Sequence, residues 1–594
     1  MTLKMKKIFY AIMGGVLLLL AGCTQKGEVF YQNPYRIIVG YLPQTVTIDG
    51  ISGTVTPDAN YDWITSNGNG SFTLRRNTSG LIRRAEFTIS GSKDKAVVSQ
   101  RAHALDATVT AKLVGQGLGT ADVNVTLASG FPDDYASWGL IYSTDNKMEN
   151  GKDVPQSGVP AIGDNLGELT GLAEGTDYII WAYVVSTEGD KVFSSPVGLV
   201  PPVFVKAGEN LQAAIDNAKE FAEVRVQGGA VFNGTILFDG KNKNKSVSGG
   251  WNADFSEQSW DNLTVIDGGG ANRGIYCGDS PISDMPLQGY VNISYFEIRN
   301  CLALSGHGAG LRISGGPVTV HHCWFHDNKA DRGAAFSTRE DDQSSDLTVY
   351  DCVITNNYAD GHGGAFSIED GQSRANPTKA VIVGNVIANN RSIKDSGYAG
   401  CFYIYQSVNV QFLNNTIVNH VTWHYDENWP NFYMRGNTNA VLANNMFLRN
   451  WYSDGGDNYT PDNRPIQFND NRVTFHTNYV EAQSNGGDGK ALITDETFFA
   501  PGFDITSVLK NPDKNVPFTY SSISDYVGEN YMSKGAAVGA GCLETLSYNS
   551  FDTANLGQDN KADIKAVLEG FGADINGTPF VRNGKVDIGA VQSK

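Results

Sequence analysis

The sequence predicts an all-β chain in which two β-sandwich domains precede a long parallel β-solenoid. Three observations predict it. With 67 Gly, 26 Tyr, 28 Phe and only 18% charged residues, the composition suits strands and turns rather than helices or disorder. The first 200 residues carry short alternating runs parted by Gly, Asn, Pro and Ser clusters. Beyond Val203 a pattern of about 30 residues repeats itself, the mark of a coil that stacks on its neighbours. At 594 residues the chain exceeds what one hydrophobic core can organise, so several units are required.

The chain begins with a positive stretch, Lys4, Lys6 and Lys7, then an apolar run from Ile12 to Leu20, then Leu20-Ala21-Gly22-Cys23. The apolar run is shorter than the ~20 residues a membrane-spanning helix needs. This segment, residues 1–23, resembles the signal peptide and lipobox of bacterial lipoproteins. The resemblance implies lipidation of Cys23, which becomes the mature N-terminus and anchors the chain in the outer membrane at the cell surface. The formal charge of −18 is spread along the sequence, which argues against nucleic acid as a partner, because phosphate binding needs clustered Lys and Arg. Acidic glycans stay open, since a local basic groove suffices for them.

From residue 24 to 104, strand-like runs at Arg36 to Val39, Thr45 to Ile48, Ser71 to Leu74, Glu86 to Ile89 and Val97 to Ser99 read as a small sandwich. Trp63, Phe72-Thr73-Leu74, Asn77, Arg84 and Val97-Val98-Ser99-Gln100 resemble a BACON domain. From 105 to 201, Trp138-Gly139-Leu140-Ile141-Tyr142-Ser143 and Ile179 to Val185 read as strands, and Tyr178 sits where immunoglobulin-like sandwiches carry a tyrosine corner. This stretch resembles a fibronectin type III domain. Both resemblances imply spacer or weak binding roles, and Pro201-Pro202 stiffens the exit.

The third domain, 202–594, opens with a short amphipathic helix, Asn210 to Ala218, suited to cap the first coil of a solenoid. Phe296, Cys323, Cys352, Asn385, Asn415 and Asn445 then fall in one register, at spacings of 27, 29, 33, 30 and 30 residues. Three residues earlier lies an apolar row, Ile293, Val320, Val349, Ile382, Phe412 and Leu442. Two residues later lies another, Ile298, Phe325, Ile354, Ile387, Ile417 and Phe447, and five later come Cys301, Asn328, Asn357, Asn390, His420 and Asn450. Each coil re-enters a strand at Leu311, Phe336, Phe366, Phe402, Phe432 and Ile466. Residues that recur at one place stack at ~4.8 Å per coil, so the apolar rows face inward. The Asn rows can bond the backbone at bends and the Asn above and below. Cys323 and Cys352 share a row with Asn385 and Asn415 and read as small buried fillers, with a disulfide between stacked coils as the alternative.

These rows resemble the pectate-lyase-like superfamily, which implies a right-handed parallel β-helix. Phe325-His326-Asp327-Asn328 and Gly363-Gly364-Ala365-Phe366 are similar to motifs of polymorphic outer-membrane β-helix proteins. Asp574-Ile575-Asn576-Gly577, Arg582 and Val586-Asp587-Ile588-Gly589-Ala590 resemble a terminal motif of bacterial β-helix proteins. None of these motifs specifies a reaction.

Alternation along the re-entry strand turns Arg312 and Ser314, Ser337 and Arg339, Ser367 and Glu369, Tyr403 and Tyr405, Tyr433 and Arg435, and Gln467 and Asn469 outward. An exposed polar and aromatic face is expected there. The segments entering this strand lengthen along the rod and carry Lys394, then Trp423, His424, Tyr425 and Trp429, then Trp451 and Tyr452. Long aromatic loops beside a flat polar sheet suit sugar rings. A polysaccharide lyase would use Arg339, Arg435 or Lys394 against a uronate carboxylate, and His424, Tyr403 or Arg435 as base. Acidic turns at Asp341, Asp342, Glu369 and Asp370 could hold calcium, or be solvated turns. A glycoside hydrolase would need facing carboxylates, and Glu369 with Asp426 or Glu427 is the pair on offer. Gly306-His307-Gly308 and Gly361-His362-Gly363 are similar to the Gly-His-Gly of polygalacturonases, but the other motifs of that family are missing, so both triplets are read as turns. The expectation is a monomeric surface lipoprotein that recognises an extracellular polysaccharide, with its degradation left open, by a lyase first and a glycoside hydrolase second. A glycan-binding protein without catalysis and a β-helix adhesin are the alternatives.

Overall fold

The computed structural model describes residues 33–77, 82–101, 108–117, 119–128, 135–145, 147–173, 175–187, 189–239, 244–278, 287, 289–338, 345–369, 377–392, 399–423, 430–436, 438–453, 459–461, 466–469, 472–480, 491–493, 498–499, 505–513, 520–547 and 561–594. Cys23 lies outside them. No helix among the described residues is long and apolar enough to cross a membrane.

Residues 33–101 form two facing sheets. One orders its strands Arg36–Val39, Lys95–Gln100, Arg83–Ile89 and Val55–Pro57, the other Gln44–Thr47, Ser71–Leu74 and Ile64–Gly68. Their inner faces bury Trp63, Phe72, Leu74 and Phe87. Residues 109–199 form a second pair of sheets, of three and five strands, around Trp138, Leu140, Ile180 and Val184. The Tyr178 hydroxyl accepts a hydrogen bond from the Ala173 N–H at 2.9 Å, the geometry anticipated for a tyrosine at this corner.

From Val203 the chain winds as a parallel solenoid with up to four strands per coil. The first strands of each coil stack as an eleven-stranded sheet, here sheet I, from Val203–Val205 to Ala491–Ile493. Sheet II has ten strands, from Val231–Asn233 to Phe498–Phe499. Sheet III has seven, from Leu302–His307 to Tyr459–Pro461, and sheet IV has eight, from Ile236–Phe238 to Ile466–Asn469. The helix Leu211–Asn217 covers the open end, with the Asn210 side chain accepting from the Ala213 N–H at its start. Buried Lys245 donates to the carbonyls of Ala218 and Lys219 at its end.

The ladders reproduce the sequence rows. Ile293, Val320, Val349, Ile382, Phe412 and Leu442 pair in register on sheet I. Ile298, Phe325, Ile354, Ile387, Ile417 and Phe447 pair on sheet II. Leu311, Phe336, Phe366, Phe402, Phe432 and Ile466 pair on sheet IV. All eighteen belong to one continuous core. All six described cysteines are buried and free, so Cys323 and Cys352 act as fillers.

Two corners of the coil turn on a single residue in the left-handed region. Between sheets I and II these are Tyr295, His322, Asp351, Gly384, Asn414 and Asn444, and between sheets II and III Asn300, Asp327, Asn356, Asn389, Asn419 and Arg449. Such a bend takes backbone groups out of the sheet ladders. The next residue restores the balance. Asn385, Asn415 and Asn445 each donate from Nδ2 to the Oδ1 of Asn415, Asn445 and Asn478 in the next coil, at 2.9–3.0 Å. The same Oδ1 atoms accept the backbone N–H of the coil before. Asn328, Asn357 and Asn390 form the second ladder, which His420 continues: its Nδ1 accepts from the Asn390 N–H at 3.1 Å and its Nε2 donates to the Ile387 carbonyl at 3.1 Å.

Two features depart from the sequence reading. The segments taken as loops before sheet IV carry strands of their own, the whole of sheet III. The solenoid also does not wind to residue 594: after strand Phe498–Phe499 the chain returns along the outside. Tyr526, Tyr531, Ile588 and Val591 cover the apolar outward residues Val353, Val386 and Met446 of sheet II. Leu568, Phe580 and Val586 cover Val383, Leu413 and Val441 of sheet I.

Because burial pushes the His420 imidazole down to about 3, only its neutral form fits the ladder. The unfolded chain takes up the proton first, so this contribution is complete above the ordinary value, about 6.5, and fades as pH falls toward 3. His420→Ala leaves a buried N–H and carbonyl unmatched and should destabilise the solenoid by about 3 kcal/mol. His420→Asn should cost less and flatten the pH dependence of the calorimetric transition between pH 6.5 and 4. Equal pH profiles for the wild type and the Asn variant would contradict this role.

Candidate functional site

In the coils that carry His307, Arg332 and His362, sheets III and IV meet at a third corner, where three residues join one strand to the next. His307, Arg332 and His362 lie in register at the end of sheet III, one per coil. Each precedes a glycine at positive φ: Gly308 (64°), Gly333 (57°) and Gly363 (67°). A Cβ at Gly308 would press on the backbone of Leu311 and Arg312, so the turn demands glycine. Across the corner, Arg312, Ser337, Ser367, Tyr403 and Tyr433 form one outward row of sheet IV. Glu369, Tyr405 and Arg435 form the next.

The rows interlock across the corner. Arg332 Nη1 donates to Glu369 Oε2 at 2.7 Å, the Ser367 hydroxyl donates to Oε1, and His307 Nδ1 lies 3.8 Å from the same oxygen. Arg273 Nε reaches the carbonyls of His307 and Gly308 at 3.4 and 3.3 Å, and Arg312 Nη1 donates to the Thr338 carbonyl at 3.2 Å. The His362 ring packs on Tyr403 at 4.9 Å between centroids. Tyr403 lies 5.8 Å from Tyr405 and 5.9 Å from Tyr433, and the Arg435 guanidinium sits 4.7 Å over Tyr405.

The register of the expected outward residues agrees with the sequence reading; their exposure does not. Glu369 is 0% exposed, Tyr403 3%, Tyr433 5% and Arg312 7%. They point away from the core but face neighbours, Glu369 against Arg332 and Tyr403 against His362, rather than open solvent. The accessible part of the cluster is half-buried His307, Arg332, His362, Tyr405 and Arg435. Burial and the charges of Arg312, Arg332 and Arg273 push His307 down to about 3. Burial, Arg332 and Arg435 do the same to His362. Both imidazoles are therefore neutral at physiological pH, in a corner that holds several guanidinium groups.

Sequence reasoning read the triplets of His307 and His362 as turns and gave Arg332 no role in a site. The available signal was the shared column of two imidazoles and a guanidinium, each directly before a glycine. Of the expected residues, Arg339, Asp341, Asp342, Asp370, Lys394, His424, Tyr425, Asp426, Glu427 and Trp429 lie outside the described residues, as do the side chains of Trp423 and Tyr452. Trp451 is not part of the corner. It stands at the start of its sheet III strand, in register with Val421 and Arg391, the opposite end from the His307 row. The expected calcium set also changes. Glu369 faces a guanidinium instead of an open acidic turn, so it does not fit a cation ligand. No group of three or more His, Cys, Asp or Glu placed to hold a metal occurs among the described residues. Glu369 is equally ill placed as one of two facing glycosidase carboxylates.

The fold and this corner define a parallel β-helix protein with a basic, aromatic edge. A family model described as a right handed beta helix region matches residues 259–423, the stretch that contains the corner. No curated protein matches the chain. Among solved structures, it is similar to a pectate lyase from Erwinia chrysanthemi in complex with tetragalacturonic acid, at 11% identity and a TM-score of 0.16, over 65% of this chain and 87% of that one. It is similar to a pectate lyase from Pectobacterium carotovorum at 11% identity and a TM-score of 0.17, over 67% and 92%. A family 28 exopolygalacturonase from Yersinia enterocolitica follows at 10% identity and a TM-score of 0.15, over 66% and 98%.

Removing the guanidinium should cost more than removing the carboxylate charge. Arg332→Met leaves Glu369 buried without that partner and should lower stability by about 2 kcal/mol, below the 3–5 typical of enclosed pairs because Arg332 is 27% exposed. Glu369→Gln should cost less, as read by chemical denaturation, and the reverse order would show that the pair does not hold the corner together.

Proposed function

We propose that the chain is a surface lipoprotein whose β-helix binds an acidic extracellular polysaccharide along the III–IV corner and cleaves it by β-elimination. One observation carries this reading: neutral imidazoles and guanidinium groups alternate in register beside a patch of tyrosines. Arg332 and Arg435 match a uronate carboxylate, and charge neutralisation there acidifies the adjacent ring proton. His307 or His362 takes that proton onto a ring nitrogen as the C–H electrons form the C=C bond. The bond to the leaving glycosidic oxygen breaks, and that oxygen recovers a proton from solvent. Tyr405 offers a ring face to the sugar. Calcium, expected from the acidic turns, is not needed for charge neutralisation in this scheme, because the arginines supply it. A second reading, binding without cleavage, is favoured by the low basicity of both imidazoles, although an anion seated on the neighbouring arginines would raise it.

In this reading the lipid at Cys23 holds the chain to the outer membrane, and the BACON-like and fibronectin type III-like units act as spacers. Cys23→Ala should move the protein from the membrane fraction to the soluble one.

Incubation with uronate polysaccharides should yield an unsaturated product, followed by its ultraviolet absorbance. Arg435→Ala and Tyr405→Ala should each weaken retention in glycan affinity gels about tenfold, the effect of losing ~1.4 kcal/mol of contact. Retention without absorbance would select the binding reading. Neither signal on any acidic glycan would remove both and leave an adhesin or structural role.

A further inference from the structure

The returning C-terminal segment, residues 574–591, docks along the left-handed row of the I–II corner. Asn414 Nδ2 donates to the carbonyls of Asp587 and Gly589 at 2.7 and 3.3 Å. Gly589 N–H donates to the Asn444 carbonyl at 2.8 Å, and Ala590 N–H to the Thr416 hydroxyl at 2.9 Å. Phe580 packs at Gly384. The next position of this row is Asp351, where an amide side chain would have offered a donor. Asp351 is 2% exposed, and its Oδ1 is buried with no hydrogen-bond partner among the described residues. The segment brings a second buried carboxylate, Asp574, but that one is satisfied: its oxygens accept N–H groups of Asn576, Thr578 and Gln592 at 2.9, 2.8 and 2.7 Å.

We infer that Asp351 is the proton-controlled release group of this segment: protonated, it stays seated beneath the C-terminal return, and ionised, it loosens the docking. A protonated carboxyl has a donor, as the asparagines of the row do; an ionised one is acceptor-only and faces burial beside another carboxylate.

The surroundings offer no compensating cation among the described groups. From the solenoid, Tyr295, Tyr350 and Cys352 interact with Asp351, and burial raises all three, which keeps them neutral near pH 7. His322, whose N–H donates to the Asp351 carbonyl, is pushed down to about 3 by burial and His321. From the segment come Asp574 and, beside it, Arg582, whose guanidinium is engaged with Asp587 at 3.0 Å. Burial first, and Asp574 second, raise the Asp351 carboxyl well above its usual range. The undocked carboxyl thus ionises first as pH rises. Docking is complete below about pH 4 and weakens progressively as pH climbs toward the seated carboxyl's own value.

Hydrogen exchange of the full chain across pH 5 to 8.5, corrected for intrinsic rates, reads the opening of Gly589 and Ala590. The expected result is an opening constant that rises with pH by up to tenfold per unit in the wild type, and a flat profile in Asp351→Asn. Asp351→Ala serves the same comparison if Asn is poorly folded. A flat wild-type profile overturns the inference without any variant, and so does a slope that survives removal of the carboxyl.

Discussion

The one-residue corner is the constraint on which the rest of the solenoid depends. Turning a strand within a single left-handed residue removes an N–H and a carbonyl from the sheets while keeping them buried. Leaving such groups unmatched costs about 1–3 kcal/mol each. The asparagine of the next coil supplies the missing acceptor and donor, but only if it stands directly above. From the coil of Asn328 onward each coil is thereby locked in register with its neighbours, and the inward rows of sheets I and II inherit that register. His420 shows that the requirement is geometric: an imidazole meets it with one accepting and one donating nitrogen.

The same register assembles the candidate site. His307, Arg332 and His362, 25 and 30 positions apart, become neighbours although the register shifts between Ala303 and His307 and between Ala330 and Arg332, and the glycine turn after each of them keeps the column aligned. The chain carries a formal charge of −18, yet Arg273, Arg312, Arg332 and Arg435 gather about this edge with Glu369. Net charge therefore describes the solubility of the molecule and says little about the ligand its edge would accept.

The inward rows were legible because a buried position tolerates few residue types, and six coils give six readings of each. Exposure was not legible in the same way. Whether Tyr403 or Glu369 meets water depends on what lies across a corner, and His362 and Arg332 sit in short motifs that read equally well as turns. Sheet III was hidden because its strands are as short as Arg391–Ser392 and fall within stretches that look like loops. The C-terminal return left a trace that went unread. Val353, Val386 and Met446 alternate with core residues on sheet II, and apolar outward positions of that kind require a cover.

The strictness of the corners also decides where this rod can change through evolution. The distance from the I–II bend to the II–III bend is five residues in each of the six coils compared, Phe296 to Cys301 through Asn445 to Asn450. An added residue there would invert the faces of the following strand. The approach to sheet IV instead grows from seven residues before Phe336 to fifteen before Ile466 without disturbing the stacked rows. The link from sheet IV back to sheet I varies too, from nine residues between Leu311 and Val320 to sixteen between Phe366 and Ile382, so these two edges can change while the scaffold is inherited unaltered.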